Sequence, residues 1–182
     1  MRARCYAPAV RFMVCIVALL ALPSIADAQA APSRERVREL LSGIEHTPSD
    51  TDWQRLGDGV LPILIDLYDT PSEPPYVRLR AVGATGAFPR PAVRTFLLAV
   101  ARVDGQSDLM VREALVTLAR GFGQPAVRDL VPFLDHEEIV VREAVAAALG
   151  RVGGATATRA LRSRLEVERD ATVRTAIERA LR

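Results

Sequence analysis

The chain holds few of the side chains that carry out chemistry. His46 and His136 are its two histidines. Neither belongs to a His-x-x-x-His or Glu-x-x-His pair, the spacings that would set two metal ligands on one helical face. His136, between Asp135 and Glu137, reads as a solvated loop residue at a helix start. The two cysteines, Cys5 and Cys15, both lie in the first thirty residues. No Gly-x-Ser-x-Gly elbow is present to hold a serine nucleophile. Gly121-Phe-Gly123 and Gly150-Arg-Val-Gly-Gly154 follow helical periodicity and no strand, so they read as helix stops, not phosphate loops. Asp50, Asp52, Asp58, Asp66, Asp69 and Glu73 face Arg55 alone between positions 49 and 75. They lack the alternating oxygen ligands within about 12 residues that a calcium loop needs. They read as helix caps and a solvated acidic face. The expectation is no catalytic residue, no metal and no cofactor.

What the chain does hold is arginine, which supplies all 24 of its basic residues. Four arginines recur in one context, at Val77-Arg78, Val111-Arg112, Val141-Arg142 and Val173-Arg174. The valines at 77, 111, 141 and 173 are 34, 30 and 32 residues apart. A period in this range marks stacked supersecondary units. Arginines at equivalent positions of a stack are expected to form a structural ladder. Their expected partners are the acids at helix starts, of which Asp108, Glu138 and Asp170 stand three residues before the valine. Five other arginines, Arg90, Arg94, Arg128, Arg159 and Arg162, fall on the second helix of each unit. They are the candidate partner-binding residues, because those second helices are expected to face the groove.

The elements that position these arginines are helices. Arg2, Arg4 and Arg11, then the apolar run Phe12–Leu22, then Ala26-Asp27-Ala28-Gln29-Ala30, follow the basic, apolar, small-x-small order of a secretory signal peptide. Residues 1–30 are expected to be cleaved, before Gln29 or Ala31. The mature chain would then hold no thiol. The 24 basic and 22 acidic residues become equal in number once Arg2, Arg4, Arg11 and Asp27 are removed. Zero net charge argues against a nucleic-acid or anionic-membrane binder. Residues 33–43 read as a helix capped by Ser33, with Val37, Leu40, Leu41 and Ile44 on one stripe. A degenerate first repeat is expected at 50–69, with Pro62 tolerated in a first turn. Three prolines between 71 and 75 make a surface linker. Hairpin repeats are expected at 75–103, 108–134 and 138–168. Pro132 should kink or end its helix. The helix at 170–182 has a narrow apolar stripe and a polar outer side, as expected of a terminal cap.

The pattern acidic-x-x-Val-Arg-x-x-Ala, followed by Ala-Leu-Gly-x-x-Gly, resembles the HEAT-like repeats of the phycobilisome lyase type. The matching residues are Asp108/Val111/Arg112/Ala114, Glu138/Val141/Arg142/Ala144/Leu149/Gly150/Gly153 and Asp170/Val173/Arg174/Ala176. The resemblance implies an all-α, right-handed α-solenoid over residues 31–182, with second helices lining a concave side. It implies binding more than chemistry. The expected role is an exported scaffold or adaptor for a protein partner in the periplasm or outside the cell, with no membrane insertion after cleavage. A bilin lyase-like enzyme or accessory subunit, and a nucleic-acid-binding HEAT-like protein, are the alternatives.

Overall fold

The computed structural model describes residues 32–43 and 47–182. The expected signal peptide, Ile44 and His46 lie outside them. The described residues form α-helices joined by short turns and 3-10 segments, without a strand.

Local sequence explains most helix ends. Helix α1 (Arg34–Ser42) starts where the Ser33 hydroxyl accepts from the Arg36 amide. Helix α2 (Asp50–Arg55) starts in a capping box, in which Ser49 and Asp52 satisfy each other's free amides. Helix α3 (Val60–Asp69) carries Pro62 in its first turn, where its missing N–H costs nothing. Helix α4 (Pro75–Ala84) opens on Pro75 and tightens into a 3-10 turn at Thr85–Ala87. Helix α5 (Pro91–Ala101) again opens on proline. Helix α6 (Asp108–Phe122) ends at Gly123, whose φ of 56° suits glycine.

The next stretch is short for the reason expected from Pro132. Helix α7 (Val127–Leu130) is flanked by 3-10 turns at Gln124–Ala126 and Val131–Asp135. Proline cannot donate to the Arg128 carbonyl, so the α-ladder stops one turn early. Helix α8 (Ile139–Val152) ends at Gly153, φ 72°. Helix α9 (Gly154–Val167) and helix α10 (Ala171–Ala180) complete the described chain, with the Asp170 carboxylate accepting from the Thr172 and Val173 amides.

The pairing of helices differs from the expected hairpins. Helix α3 packs on α4, α5 on α6, and the 131–135 turn on α8, whereas α4 hardly touches α5. The units at 75–103 and 108–134 are therefore out of phase with the packing. In these three pairs the Val-Arg helix is the second member, following a more divergent first segment, while α9 lies against α8 and α10 alike. The prominent sequence breaks, at 70–75 and 104–107, lie inside the pairs α3–α4 and α5–α6, and they suggested the wrong partners.

Two rows result. In one, the Val-Arg helices α4, α6, α8 and α10 lie side by side in direct contact. In the other, α7 touches α9 lightly and α3, α5 and α7 touch one another less. Side-chain size explains the difference, because it sets the distance between helix axes. A Cβ on Gly121 would lie 3.1 Å from the Gly86 carbonyl oxygen, and one on Gly150 would lie 2.5 Å from Ala180 Cβ. Small residues thus let the Val-Arg helices approach closely. The other row carries larger side chains against the core, among them Phe96, Leu97, Leu98, Leu130 and Phe133. The tighter row is the inner side of the stack, so the Val-Arg helices line it, and α5, α7 and α9 do not.

The core runs continuously between the rows. Leu64, Leu97, Leu115, Leu118, Leu130, Leu149, Leu161 and Ile177 are fully buried in it. Each contributes about 1.5–3 kcal/mol relative to exposure. Gly121 and Gly150 lie in the last turns of α6 and α8, just before the stops. They are packing glycines, and Gly123 and Gly153 are the helix stops.

Candidate functional site

The repeated arginines do brace the stack, but through a different acceptor from the one expected. Arg78 Nε donates to the Tyr68 carbonyl in the last turn of α3, at 2.7 Å. Arg174 Nη1 donates to the Leu165 and Glu168 carbonyls at the end of α9, at 2.8 and 3.0 Å. Arg142 Nη1 donates to the carbonyls of His136 and Glu137. Each guanidinium thus meets carbonyls left free where the preceding helical segment ends, the negative pole of a helix dipole. Asp108 and Glu138 make no side-chain cap, and only Asp170 caps its helix. Arg112 departs from the ladder: it is exposed, and no hydrogen bond or ion pair with another described residue holds it. The valines at 77, 111, 141 and 173 are all buried.

One carboxylate missed in the sequence locks the joint between α8, α9 and α10. Glu168 is 4% exposed. It accepts from Arg142 Nε at 3.0 Å and Arg164 Nη2 at 2.6 Å, and from the Arg169 and Asp170 amides at 3.0 Å. Arg164 also reaches Asp135. Burial alone would raise the Glu168 carboxyl. Hydrogen bonds from Arg142, the Asp170 amide and Arg164 outweigh it and hold the group down at about 2. Glu73, in the proline-rich loop, plays the same part for α1. It is buried between Arg34 and Arg38, whose bonds hold its carboxyl below the usual range. That loop is anchored through Glu73, where a free surface linker was expected. The only local signal for either acid is its position in the loop just before a Val-Arg helix.

The acidic cluster of the N-terminal third separates into such contacts. Asp66 pairs with Arg34, Asp58 with Arg90, and Asp50 with Arg120, while Asp52 sits in the capping box. His136 turns inward locally, where its Nδ1 accepts from the Glu138 amide and its ring stacks on Phe133. Among the described residues no group of His, Cys, Asp and Glu is placed to hold a metal.

The five candidate arginines lie on the spread row. Arg90 is tied to Asp58, and Arg94 Nη2 to Asp129 at 2.7 Å. Both are spent on intramolecular pairs. Arg128, Arg159 and Arg162 are exposed and unpaired among the described residues. Arg159 borders an open recess of about 450 Å³ between the 131–135 turn and α9.

The Val-Arg row offers the longer surface. On α6 the side chains at 109, 113, 116 and 120 share a stripe, and on α8 those at 139, 143, 147 and 151 do. Between α6 and α8 lies a recess of about 800 Å³ walled by Val116, Ala119, Arg120, Ala148, Arg151 and Val152. A second, of about 470 Å³, lies between α8 and α10. Arg151 borders both. Arg120 is partly committed, donating to the Gly83 carbonyl at 2.6 Å. At the starts of α4, α6 and α8, Tyr76, Leu109 and Ile139 are 49, 59 and 45% exposed. Such a surface binds by shape, apolar anchors and charge.

Residues 100–182 match the family model of HEAT repeats. The match runs from the end of α5 through α10 and so covers the best-formed Val-Arg helices. It supports a HEAT-like repeat protein, and the helical stack is that of a HEAT-like solenoid. No curated protein matches the chain. In these HEAT-like units the Val-Arg arginine is a structural part, and the neighbouring inner stripe is the exposed one. Among the described residues no helix is long and apolar enough to cross a membrane.

Proposed function

We propose that this chain is an exported scaffold that binds a protein partner across the inner face of its Val-Arg helices. HEAT repeats commonly mediate protein–protein interaction. The observation that carries the proposal here is the row of recesses along α6, α8 and α10, bordered by the exposed arginines Arg151, Arg179 and Arg182. A stack braced by buried arginine–carbonyl and arginine–carboxylate contacts presents such a face rigidly, which lowers the ordering cost of binding. Export rests on the basic, apolar, small-x-small order of residues 1–30. The partner would then be met in the periplasm or outside the cell.

A contrast between the two rows tests the proposal. Val116→Glu puts a charge into the recess between α6 and α8, and Thr95→Glu puts one on exposed α5. Affinity capture from the native envelope should lose its partner with Val116→Glu and keep it with Thr95→Glu. The opposite pattern would remove the Val-Arg face from consideration.

A further inference from the structure

The trough between α8 and α10 has a composition that specifies its occupant further. Its floor is made of Ala147, Gly150, Ala176 and Ala180. These side chains are too small to hold a partner off, so a main chain can lie close to the helices. Its walls carry Arg151, Arg179 and Arg182, each exposed and none in a hydrogen bond or ion pair with another described residue. Elsewhere in the stack Arg78, Arg94, Arg142, Arg164 and Arg174 all reach a carbonyl or a carboxylate of this chain. Among the described residues the three trough arginines have no such partner. Glu143, at the other end, is the one acid lining the trough. The trough therefore carries three positive charges against one negative, in a chain whose acids and arginines otherwise balance.

We propose that this trough anchors an acidic segment of the partner protein, with its carboxylates paired to Arg151, Arg179 and Arg182 and its backbone on the alanine–glycine floor. The proposal rests on the Val-Arg face being the binding face. Guanidinium–carboxylate pairs are charge-assisted and directional, so they fix the register of a bound segment as well as attract it. Glu143 sets a polarity: the acidic stretch must lie toward the ends of α8 and α10 and away from their starts. On the neighbouring α6–α8 recess the lining is mainly apolar, with Val116, Ala119, Ala148 and Val152. An acidic segment continuing there is expected to carry apolar side chains as well.

Fluorescence anisotropy with a labelled peptide of alternating glutamate and leucine tests this on the purified full chain. The expected result is binding that weakens with added salt, and no binding of the matching lysine–leucine peptide. Arg151→Glu combined with Arg179→Glu should weaken the acidic peptide by about tenfold or more, since each replacement turns an attractive charge contact into a repulsive one. Arg159→Glu combined with Arg162→Glu, on the other row, should leave it unchanged. An unaltered melting temperature checks that each variant is folded. Failure to bind the acidic peptide, or equal weakening by both double variants, overturns the assignment. So does a single-stranded oligonucleotide bound as tightly and lost with the same variant, because the trough would then be a general polyanion site. Failure of the acidic peptide while Val116→Glu still abolishes partner capture would leave the proposed function standing and remove only the acidic occupant.

Discussion

Replacing Glu168 by glutamine removes the charge at the joint of three helices while keeping its shape. In the native chain the carboxylate neutralises Arg142 and Arg164 and accepts from two backbone amides. Arg142 is 9% exposed, so the variant leaves a buried guanidinium without its counter-ion. Breaking one side of a buried pair costs about 3–5 kcal/mol. In a chain of this size that lowers the melting temperature by about 10 °C. The pH dependence gives an independent reading. An unfolded glutamate titrates near 4.5, and Glu168 in the fold titrates at about 2. Between those values the unfolded state binds the extra proton, so its stabilisation is full above pH ~4.5 and is lost as the pH falls toward 2. The shift corresponds to about 3 kcal/mol. Thermal unfolding followed by circular dichroism, from neutral pH down to pH ~2, should show the native chain and Glu168→Gln converging as the medium becomes acid. A constant difference across that range, or no difference at neutral pH, would refute the reasoning.

The remaining predictions concern the ladder and the row spacing. Arg112→Ala should change stability by less than about 0.5 kcal/mol in chemical denaturation, because that arginine is exposed and unpaired. Arg174→Ala, which frees the Leu165 and Glu168 carbonyls, should cost about 1–3 kcal/mol in the same assay. Gly150→Ala should cost about 1–3 kcal/mol, since its Cβ would lie 2.5 Å from Ala180 Cβ and must push α8 and α10 apart. Ser49→Ala should cost about 1 kcal/mol by removing half of the capping box that starts α2, with its effect confined to the N-terminal end by hydrogen exchange.

Periodicity made the helical stack legible in the sequence, down to the Ser33 cap and the break at Pro132. These are local features, decided within a turn or two of chain. The phase of the pairs was not legible. A Val-Arg helix can pack on the helix before it or after it with the same apolar stripe, and the long loops pointed to the wrong choice. That error carried the candidate arginines to the spread row. The glycines were ambiguous for a related reason: Gly150 and Gly153 look alike in sequence, yet one admits Ala180 and the other has φ 72°. Glu73 and Glu168 looked like any solvated loop acid, because burial of each depends on arginines 35 and 26 residues away. Arg112 shows the converse, since its motif is intact while its bracing contact is absent.

Photo-cross-linking from matched positions on the two rows tests the central claim most directly. A cross-linker placed in turn at Val116 and Ala147, on α6 and α8, and at Thr95 and Arg159, on α5 and α9, would be activated in the native envelope. The account predicts one partner joined from Val116 and Ala147 and absent from Thr95 and Arg159. The same partner joined only from Thr95 and Arg159 would contradict it.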